Sequence, residues 1–339
     1  MTIRVFEAFA GIGAQAEALR ELGLDFKVVG ISENDPVAVA GYEAIHGPVK
    51  NYGDIRDMVN LPPCDLVTYS YPCTSLSICG KQEGMGEGTG TASSLVWEVG
   101  RLLMRADKLP EILVMENVDA VLNIRNWPDF KRWMEMLDAL GYTSTYAILN
   151  AKDYDVPQFR KRCFMISARH GKRFIFPKKV TLTRTMQDVL EENVPDSYYL
   201  KGDKIENYKV VHVKNTNGLI KIGELGKYNF EYMNRVYSPK GISPTVNTVQ
   251  GGGRAIKICL GYKGKTPIVR YLTPREYFRL QCFPDDAIDR LMEAVPAKSN
   301  QYRLAGNSIP INCLKAIFKG IYIDKSFRLG LFEEIFSGL

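Results

Sequence analysis

Along the first 170 residues, short runs rich in β-branched and aromatic residues alternate with stretches whose apolar positions recur at helical spacing. Ile3 to Phe9 is followed by Ala14 to Leu22, Lys27 to Ser32 by Val37 to Ile45, Leu66 to Tyr71 by Leu95 to Met104, and Ile112 to Met115 by Trp127 to Leu140. This alternation predicts an α/β fold on a doubly wound, mostly parallel sheet. Two further runs, Ser144 to Leu149 and Cys163 to Ala168, suit an edge hairpin, with Pro157 in the loop between them. After about Pro177 the chain turns to Lys-, Asn-, Gly- and Tyr-rich segments with short β-like runs, which predicts a second, smaller, mainly β or irregular domain. Helical spacing returns from Pro274 to Leu280 and from Ile311 to Ile321, so the chain is expected to rejoin the first domain. The expected boundaries are 1–176, 177–268 and 269–339.

Composition narrows the class. The 339 residues are 45% apolar and 24% charged, as in a globular protein with a large core. No apolar stretch approaches the roughly 18 residues that cross a bilayer, and the first residues run straight into a strand, so a cytoplasmic protein with no membrane partner is expected. Seven scattered cysteines, an odd number with no C-x-x-C pair, predict reduced thiols, and three distant histidines give no metal site. The net charge of +6 is uneven: residues 171–270 carry 18 Lys and Arg against 8 Asp and Glu. Interleaved with Tyr228, Phe230, Tyr232 and Tyr237, that excess reads as a polyanion footprint with stacking groups, against the simpler reading of a solvated basic face.

Cys73 is the sharpest chemical candidate. It follows Pro72 at the end of the run from Asp65 to Tyr71 and opens the polar segment Thr74-Ser75-Leu76-Ser77. Cysteine is often a small buried hydrophobe, but strand carboxyl ends are where open α/β sheets place their ligands. Gly11-Ile12-Gly13-Ala14-Gln15-Ala16 follows the first strand in the G-x-G-x-x-A form, in which backbone can approach a ligand. Glu33, 22 residues after Gly11, is placed to take ribose hydroxyls, and Asp54 to accept from an adenine amino group, although each also suits a surface acid or a helix cap. NAD and S-adenosylmethionine both fit; the missing third glycine, and a thiol that needs an electrophile, favour S-adenosylmethionine. Glu116 ends the fourth apolar run on the same sheet edge as Cys73. Arg160 and Arg162, two apart, would share one face of an extended segment and orient a carboxylate or phosphate.

Six motifs then occur in order: Phe9-x-Gly11-x-Gly13, Pro72-Cys73, Glu116-Asn117-Val118, Gln158-x-Arg160-x-Arg162, Arg270-x-Leu272-Thr273-x-Arg275-Glu276 and Gly306-Asn307-Ser308. From Val5 to Ile317 the chain resembles a bacterial DNA cytosine-5 methyltransferase. The resemblance implies that Phe9, Ala10, Gly11, Ile12, Gly13, Glu33, Asn34, Asp54, Ile55, Pro72 and Leu95 surround S-adenosyl-L-methionine, released as S-adenosyl-L-homocysteine. Asn307, Ser308 and Ile309 would reach in from the returning segment. Cys73 would be the nucleophile on C6 of cytosine, Glu116 would hold the N3 and N4 edge, and Arg160 and Arg162 would assist. No residue is assigned to removal of the C5 proton, for which water suffices. An electropositive setting is expected at Cys73, because the thiolate is the reactive form.

The target atom lies inside the duplex stack, so the cytosine must flip out, and the basic segment becomes a target-recognition domain. The resemblance implies DNA contacts from Ser77 and Gln158, and from Arg235, Tyr237, Thr245, Gly251 and Gly252, with Thr245 on a phosphate. Double-stranded DNA is the expected partner of a monomeric enzyme, and restriction-modification members of such a family work beside a separate cognate endonuclease. Two departures stand out: Thr74 where glutamine is usual, and Phe6-Glu7-Ala8-Phe9 where Asp-Leu-Phe is commoner. The glycine-dense stretch from Gly84 to Thr91 suits a flap over a flipped base or a linker. The competing readings are a transfer-RNA cytosine-5 methyltransferase of the same fold, a non-catalytic DNA-binding regulator and an NAD oxidoreductase. The size of the basic domain favours DNA over RNA, and the presence of Cys73 and Glu116 favours an enzyme.

Overall fold

The computed structural model describes residues 2–76, 84–250 and 253–329. In chain order its elements are β1 (Ile3–Ala8), α1 (Ala14–Glu21), β2 (Phe26–Ser32), α2 (Pro36–His46), β3 (Leu66–Tyr69), α3 (Val96–Arg105), β4 (Ile112–Val118), α4 (Trp127–Ala139), β5 (Tyr142–Asn150), β6 (Lys161–Arg169), β7 (Lys172–Phe174), β8 (Lys209–Thr216), β9 (Leu219–Glu224), α5 (Glu231–Asn234), β10 (Arg235–Tyr237), β11 (Lys257–Lys263), β12 (Thr266–Tyr271), α6 (Pro274–Arg279), α7 (Asp285–Ala294), α8 (Lys298–Asn307), α9 (Ile311–Phe318) and β13 (Phe327–Leu329). Two compact units divide the chain, one of residues 1–149, 161–178 and 313–339, the other of 150–160 and 179–312.

The first unit is built on a six-stranded sheet in the order β2-β1-β3-β4-β6-β5. β1 pairs in parallel with β2 and β3, and β3 with β4, as the strand–helix alternation requires. β6 then lies antiparallel against β4, so the last two strands enter the sheet in reverse order. Under the sheet, Trp133 and Phe130 from α4 pack with Tyr69 from β3, all fully buried, and the Trp133 indole donates to the Tyr69 hydroxyl at 3.2 Å. Rings of this size each contribute roughly 1.5–3 kcal/mol of burial, and the paired indole N–H avoids the cost of an orphaned donor.

Local chemistry sets the element ends. α2 starts at Pro36 behind Asp35, whose carboxylate accepts from the Val37 amide at 3.0 Å. β3 stops at Tyr69, two residues short of the sequence expectation, because the Asn117 side chain takes the Tyr71 carbonyl at 2.9 Å and Pro72 cannot donate to a ladder. β4 runs three residues longer than expected, through Val118, because β6 keeps pairing with it as far as Arg162.

The second unit carries a five-stranded sheet, β12-β11-β10-β9-β8, antiparallel except for the parallel pair β10–β11. It also includes 150–160 and α6 to α8, segments that the sequence pattern suggested would lie with the first domain. Buried polar contacts hold them there. Gln158 donates to the Leu280 carbonyl at 2.9 Å, and Gln281 to that of Ala305 at 2.8 Å. The Arg270–Glu276 ion pair, fully buried, fastens α6 to β12 through two bonds of 2.8 and 2.6 Å. The fifth motif of the sequence is therefore a piece of framework, with Thr273 and Glu276 forming a capping box at the start of α6.

Candidate active site

Cys73 lies half-buried just beyond the carboxyl end of β3, on a turn in which the Leu76 amide donates to its carbonyl at 3.0 Å. The turn is braced from three directions. Ser93 donates to the Pro72 carbonyl at 2.7 Å, Asn117 holds the Tyr71 carbonyl, and the Gly84 amide donates to Ser75 at 3.0 Å. Behind it the buried Tyr71 hydroxyl reaches the Met85 sulfur, and the Trp97 indole donates to the Met85 carbonyl at 2.8 Å. Burial pushes the Cys64 and Cys163 thiols up to about 12, which marks both as packing groups.

Glu116 faces the same edge. The parallel register that sets Tyr69 beside Met115 puts Glu116 next to Ser70, three residues before Cys73. Tyr71, whose own pKa burial drives far upward, feels the charges of both Glu116 and Cys73. Across β4 and β6 the Arg162 Nε lies 3.2 Å from Glu116 Oε1, with both side chains mostly shielded from solvent. A thiol and a carboxylate steered by a guanidinium thus meet at one sheet edge, an arrangement able to add a nucleophile while a hydrogen-bonding acid holds the heterocycle under attack.

The glycine turn after β1 and the acids after β2 form a second feature of this edge. Phe9, Gly11 and Gly13 all have positive φ (55°, 57° and 74°), and Gly13 caps α1. The two glycines serve different ends. A Cβ at Gly13 would sit 2.5 Å from His46 Nε2 and 2.6 Å from the Tyr42 ring, whereas one at Gly11 would meet nothing within 4 Å. Glu33 accepts from the Gly11 amide through Oε2 and from the Asp35 amide through Oε1, both at 2.9 Å, and burial raises its pKa. Asp54 caps the 3-10 turn Ile55–Asp57 and accepts from Arg56 and Asn34; hydrogen bonds from Arg56 pull it down to about 2. Phe9 and Leu95 pack partly buried against the core that contains Ile55. Open space over Gly11, with a carboxylate at its rim and apolar walls, fits a nucleoside, and the donor set suits the adenosyl end of S-adenosyl-L-methionine.

Several expected site residues do other work. Arg160 does not share a face with Arg162: β6 begins only at Lys161, so strand alternation does not extend to it. Its buried guanidinium donates to the carbonyls of Val246, Gly306 and Ser308 at 3.1, 3.0 and 2.8 Å, all within the second unit. Gln158 is fully buried, with its amide shared between Leu280 and the Val246 amide, which removes it as a DNA contact. Tyr237, 6% exposed, has no ring face to offer a base, and Arg235 is ion-paired with Glu231. The Thr245 hydroxyl donates at 2.7 Å to the Phe159 carbonyl, so its proton is not available to a phosphate. Ser308 and Ile309 are buried and Asn307 exposed, all in the second unit. Ser77, Gly251 and Gly252 lie outside the described residues.

Sequence reasoning missed the supports. Ser93, which fixes Pro72, has no motif around it; Asn117 stood inside the Glu116-Asn117-Val118 signature and could have been read as a turn-holding amide. Among the described residues no group of three or more His, Cys, Asp or Glu is arranged to hold a metal, and no helix is long and apolar enough to cross a membrane.

Residues 3–322 match the family described as C-5 cytosine-specific DNA methylase. The chain is 31% identical to the type II methyltransferase M2.ScrFI of Lactococcus lactis subsp. cremoris, covering 94% of this chain and 99% of that one. It is 32% identical to the orphan methyltransferase M.SssI of Spiroplasma monobiae, covering 94% and 97%. Among solved structures, the Entamoeba histolytica methyltransferase EhMeth superposes with a TM-score of 0.74 at 15% identity, over 96% of this chain and 99% of that one. The Dnmt2 methyltransferase of S. pombe does so at 0.68 and 17%, over 94% and 97%. At such identities the superpositions carry the fold alone, while the family match and the two sequence relatives carry the chemistry. The chain belongs to the C-5 cytosine-specific DNA methylase family and is a DNA cytosine-5 methyltransferase that uses S-adenosyl-L-methionine as its methyl donor.

Proposed function

We propose that Cys73 is the nucleophile of this methyltransferase, that Glu116 is its acid and that Arg162 positions Glu116. The observation that carries the assignment is the Glu116–Arg162 pair across β4 and β6, with β4 lying directly beside β3, the strand that leads into Pro72-Cys73. C5 of cytosine is a poor nucleophile. When the Cys73 thiolate bonds to C6 and Glu116 gives a proton to N3, C5 acquires enamine character and can attack an electrophilic carbon. Bound S-adenosyl-L-methionine supplies that carbon as a sulfonium methyl and leaves as S-adenosyl-L-homocysteine. Return of the N3 proton to Glu116 and loss of the C5 proton to water then restore the neutral base and its C5–C6 double bond as the Cys73 thiolate is expelled.

Phe9, Gly11, Glu33, Asp54 and Leu95 would hold the methyl donor: Glu33 by accepting from ribose hydroxyls, and the apolar side chains by lining the adenine. The basic segment around residues 178–267 would hold duplex DNA with its target cytosine flipped out, and Ser77, Gly251 and Gly252 would contribute contacts to that DNA. We further infer a monomer acting on DNA in the cytoplasm, with any cognate restriction endonuclease a separate protein.

Methyl transfer from tritiated S-adenosyl-L-methionine to unmethylated duplex DNA tests this reading. Cys73→Ser should reduce transfer below detection and still shift the DNA in a gel. A serine variant that methylates at the parent rate sinks the mechanism. Bisulfite sequencing of the methylated product would identify the target sequence.

A further inference from the structure

Glu7, the last residue but one of β1, is fully buried, and the proposed chemistry does not use it. Its Oε2 accepts from the hydroxyl of Tyr42 on α2 at 2.6 Å. Tyr42, itself buried, lies one helical turn before His46, and the two ring centroids are 4.7 Å apart. His46 carries the contacts onward: its Nε2 is 3.2 Å from the Ile12 carbonyl, an acceptor, so Nε2 bears the proton. The next residue is Gly13, where a Cβ would come within 2.5 Å of that same nitrogen and 2.6 Å of the Tyr42 ring. The second half of the glycine turn therefore rests on two side chains of α2. Its first half is held from the end of β2, since the Phe9 amide donates to the Ser32 carbonyl at 2.7 Å and the Gly11 amide to Glu33 at 2.9 Å. Burying a carboxyl is costly unless it is paired, and here the partner leads to the turn.

We propose that His46 and Tyr42 are positioning residues for methyl-donor binding: anchored on Glu7, they hold Ile12 and Gly13 in the course that leaves Gly11 open to the donor. The inference rests on the reading of the glycine turn as the site of S-adenosyl-L-methionine. Phe9, at φ 55°, keeps its left-handed backbone only where the surroundings fix it, and glycines at 11 and 13 can leave theirs freely. The turn therefore needs support from outside itself. Gly13 gives up a Cβ so that both rings can approach, whereas a Cβ at Gly11 would meet neither ring within 4 Å. The two side chains thus act on the shape of the turn and leave the space assigned to the ligand clear. A turn ordered in advance spares the ligand the entropy of ordering it.

The test uses the full-length enzyme. His46→Leu keeps bulk and removes the donor, and His46→Gln restores a donor. Tyr42→Phe keeps the ring, cuts the link to Glu7 and serves if His46→Leu fails to fold. Calorimetry with S-adenosyl-L-homocysteine should give a Kd about tenfold higher in His46→Leu, the scale of one lost hydrogen bond, with most of the loss recovered in His46→Gln. Without ligand, hydrogen exchange at the Gly13 amide, which donates to the Ala10 carbonyl at 3.0 Å, should quicken about tenfold in His46→Leu and in Tyr42→Phe. KM for duplex DNA should stay within about twofold. Unchanged exchange in both variants overturns the positioning role, and so does a rise in KM for DNA that matches the rise in Kd, because that marks a general loss of structure. Faster exchange with an unchanged Kd is compared with Glu33→Gln: weaker binding there keeps the donor site and overturns the part given to His46, while unchanged binding there overturns the donor site as well.

Discussion

Arg162 and Glu116 face each other across the antiparallel pair β4 and β6, with Nε and Oε1 3.2 Å apart, although the residue directly opposite Glu116 is Phe164. The contact is diagonal, and side-chain alternation puts Arg162 and Phe164 on the same sheet face as Glu116. Arg162→Leu leaves the carboxylate without its guide. Single-turnover methyl transfer should fall about 100-fold, the scale of losing one preorganised polar partner. Arg162→Lys should recover only part of that loss, since an ammonium lacks the planar fork. A leucine variant with full single-turnover rate would exclude the positioning role.

Gly11 and Gly13 should separate binding from folding. Gly13→Ala forces a methyl into His46 and Tyr42 and should cost about 1–3 kcal/mol of stability, seen in urea titration. Gly11→Ala meets open space in the protein, so its stability cost should be limited to about 1 kcal/mol of left-handed backbone strain. Its larger effect should be on S-adenosyl-L-methionine affinity by calorimetry, because the new methyl occupies space assigned to the cofactor.

Glu7 at the end of β1 is fully buried, accepts from the Tyr42 hydroxyl at 2.6 Å, and burial raises its pKa to about 7. The folded state therefore holds this proton at pH values where the unfolded chain releases it. Stability from this group is fully present below about pH 4.5 and is lost as pH rises toward 7, a change of about 3 kcal/mol. Glu7→Gln cannot titrate. The stability difference between parent and variant should shift by about that amount in favour of the variant from pH 4.5 to 8. A difference that stays constant over this range would show that Glu7 does not titrate as described.

The buried Arg270–Glu276 pair should be structural. Removing one partner strands a charge, so Glu276→Ala is expected to cost about 3–5 kcal/mol in chemical denaturation. Activity per folded molecule should be retained if the motif acts only through the fold.

Much of the proposed catalytic edge could be read from the sequence. The run ending at Pro72-Cys73 and the run ending at Glu116 both gave strands, and adjacent parallel strands bring their carboxyl ends to one edge. The pair Arg160 and Arg162 could not be read the same way, since two-residue spacing shares a face only inside a strand and β6 begins between them. Gln158 and Tyr237 have polar groups typical of an interface, yet both are buried within the second unit.

Periodicity, turn residues and charge are properties of neighbouring residues, so the chain alone set the strand–helix alternation of the first 170 residues, the chemistry at the strand ends and the basic bias of residues 171–270. Tertiary structure alone decided that β6 enters between β4 and β5, that Arg162 and not Arg160 meets Glu116, and that His46 reaches the glycine turn. Each of those outcomes joins residues far apart in the chain. Burial and partner choice are set by packing, and one residue type serves equally well as a catalytic guide, a framework pin or a surface charge until its neighbours are in place.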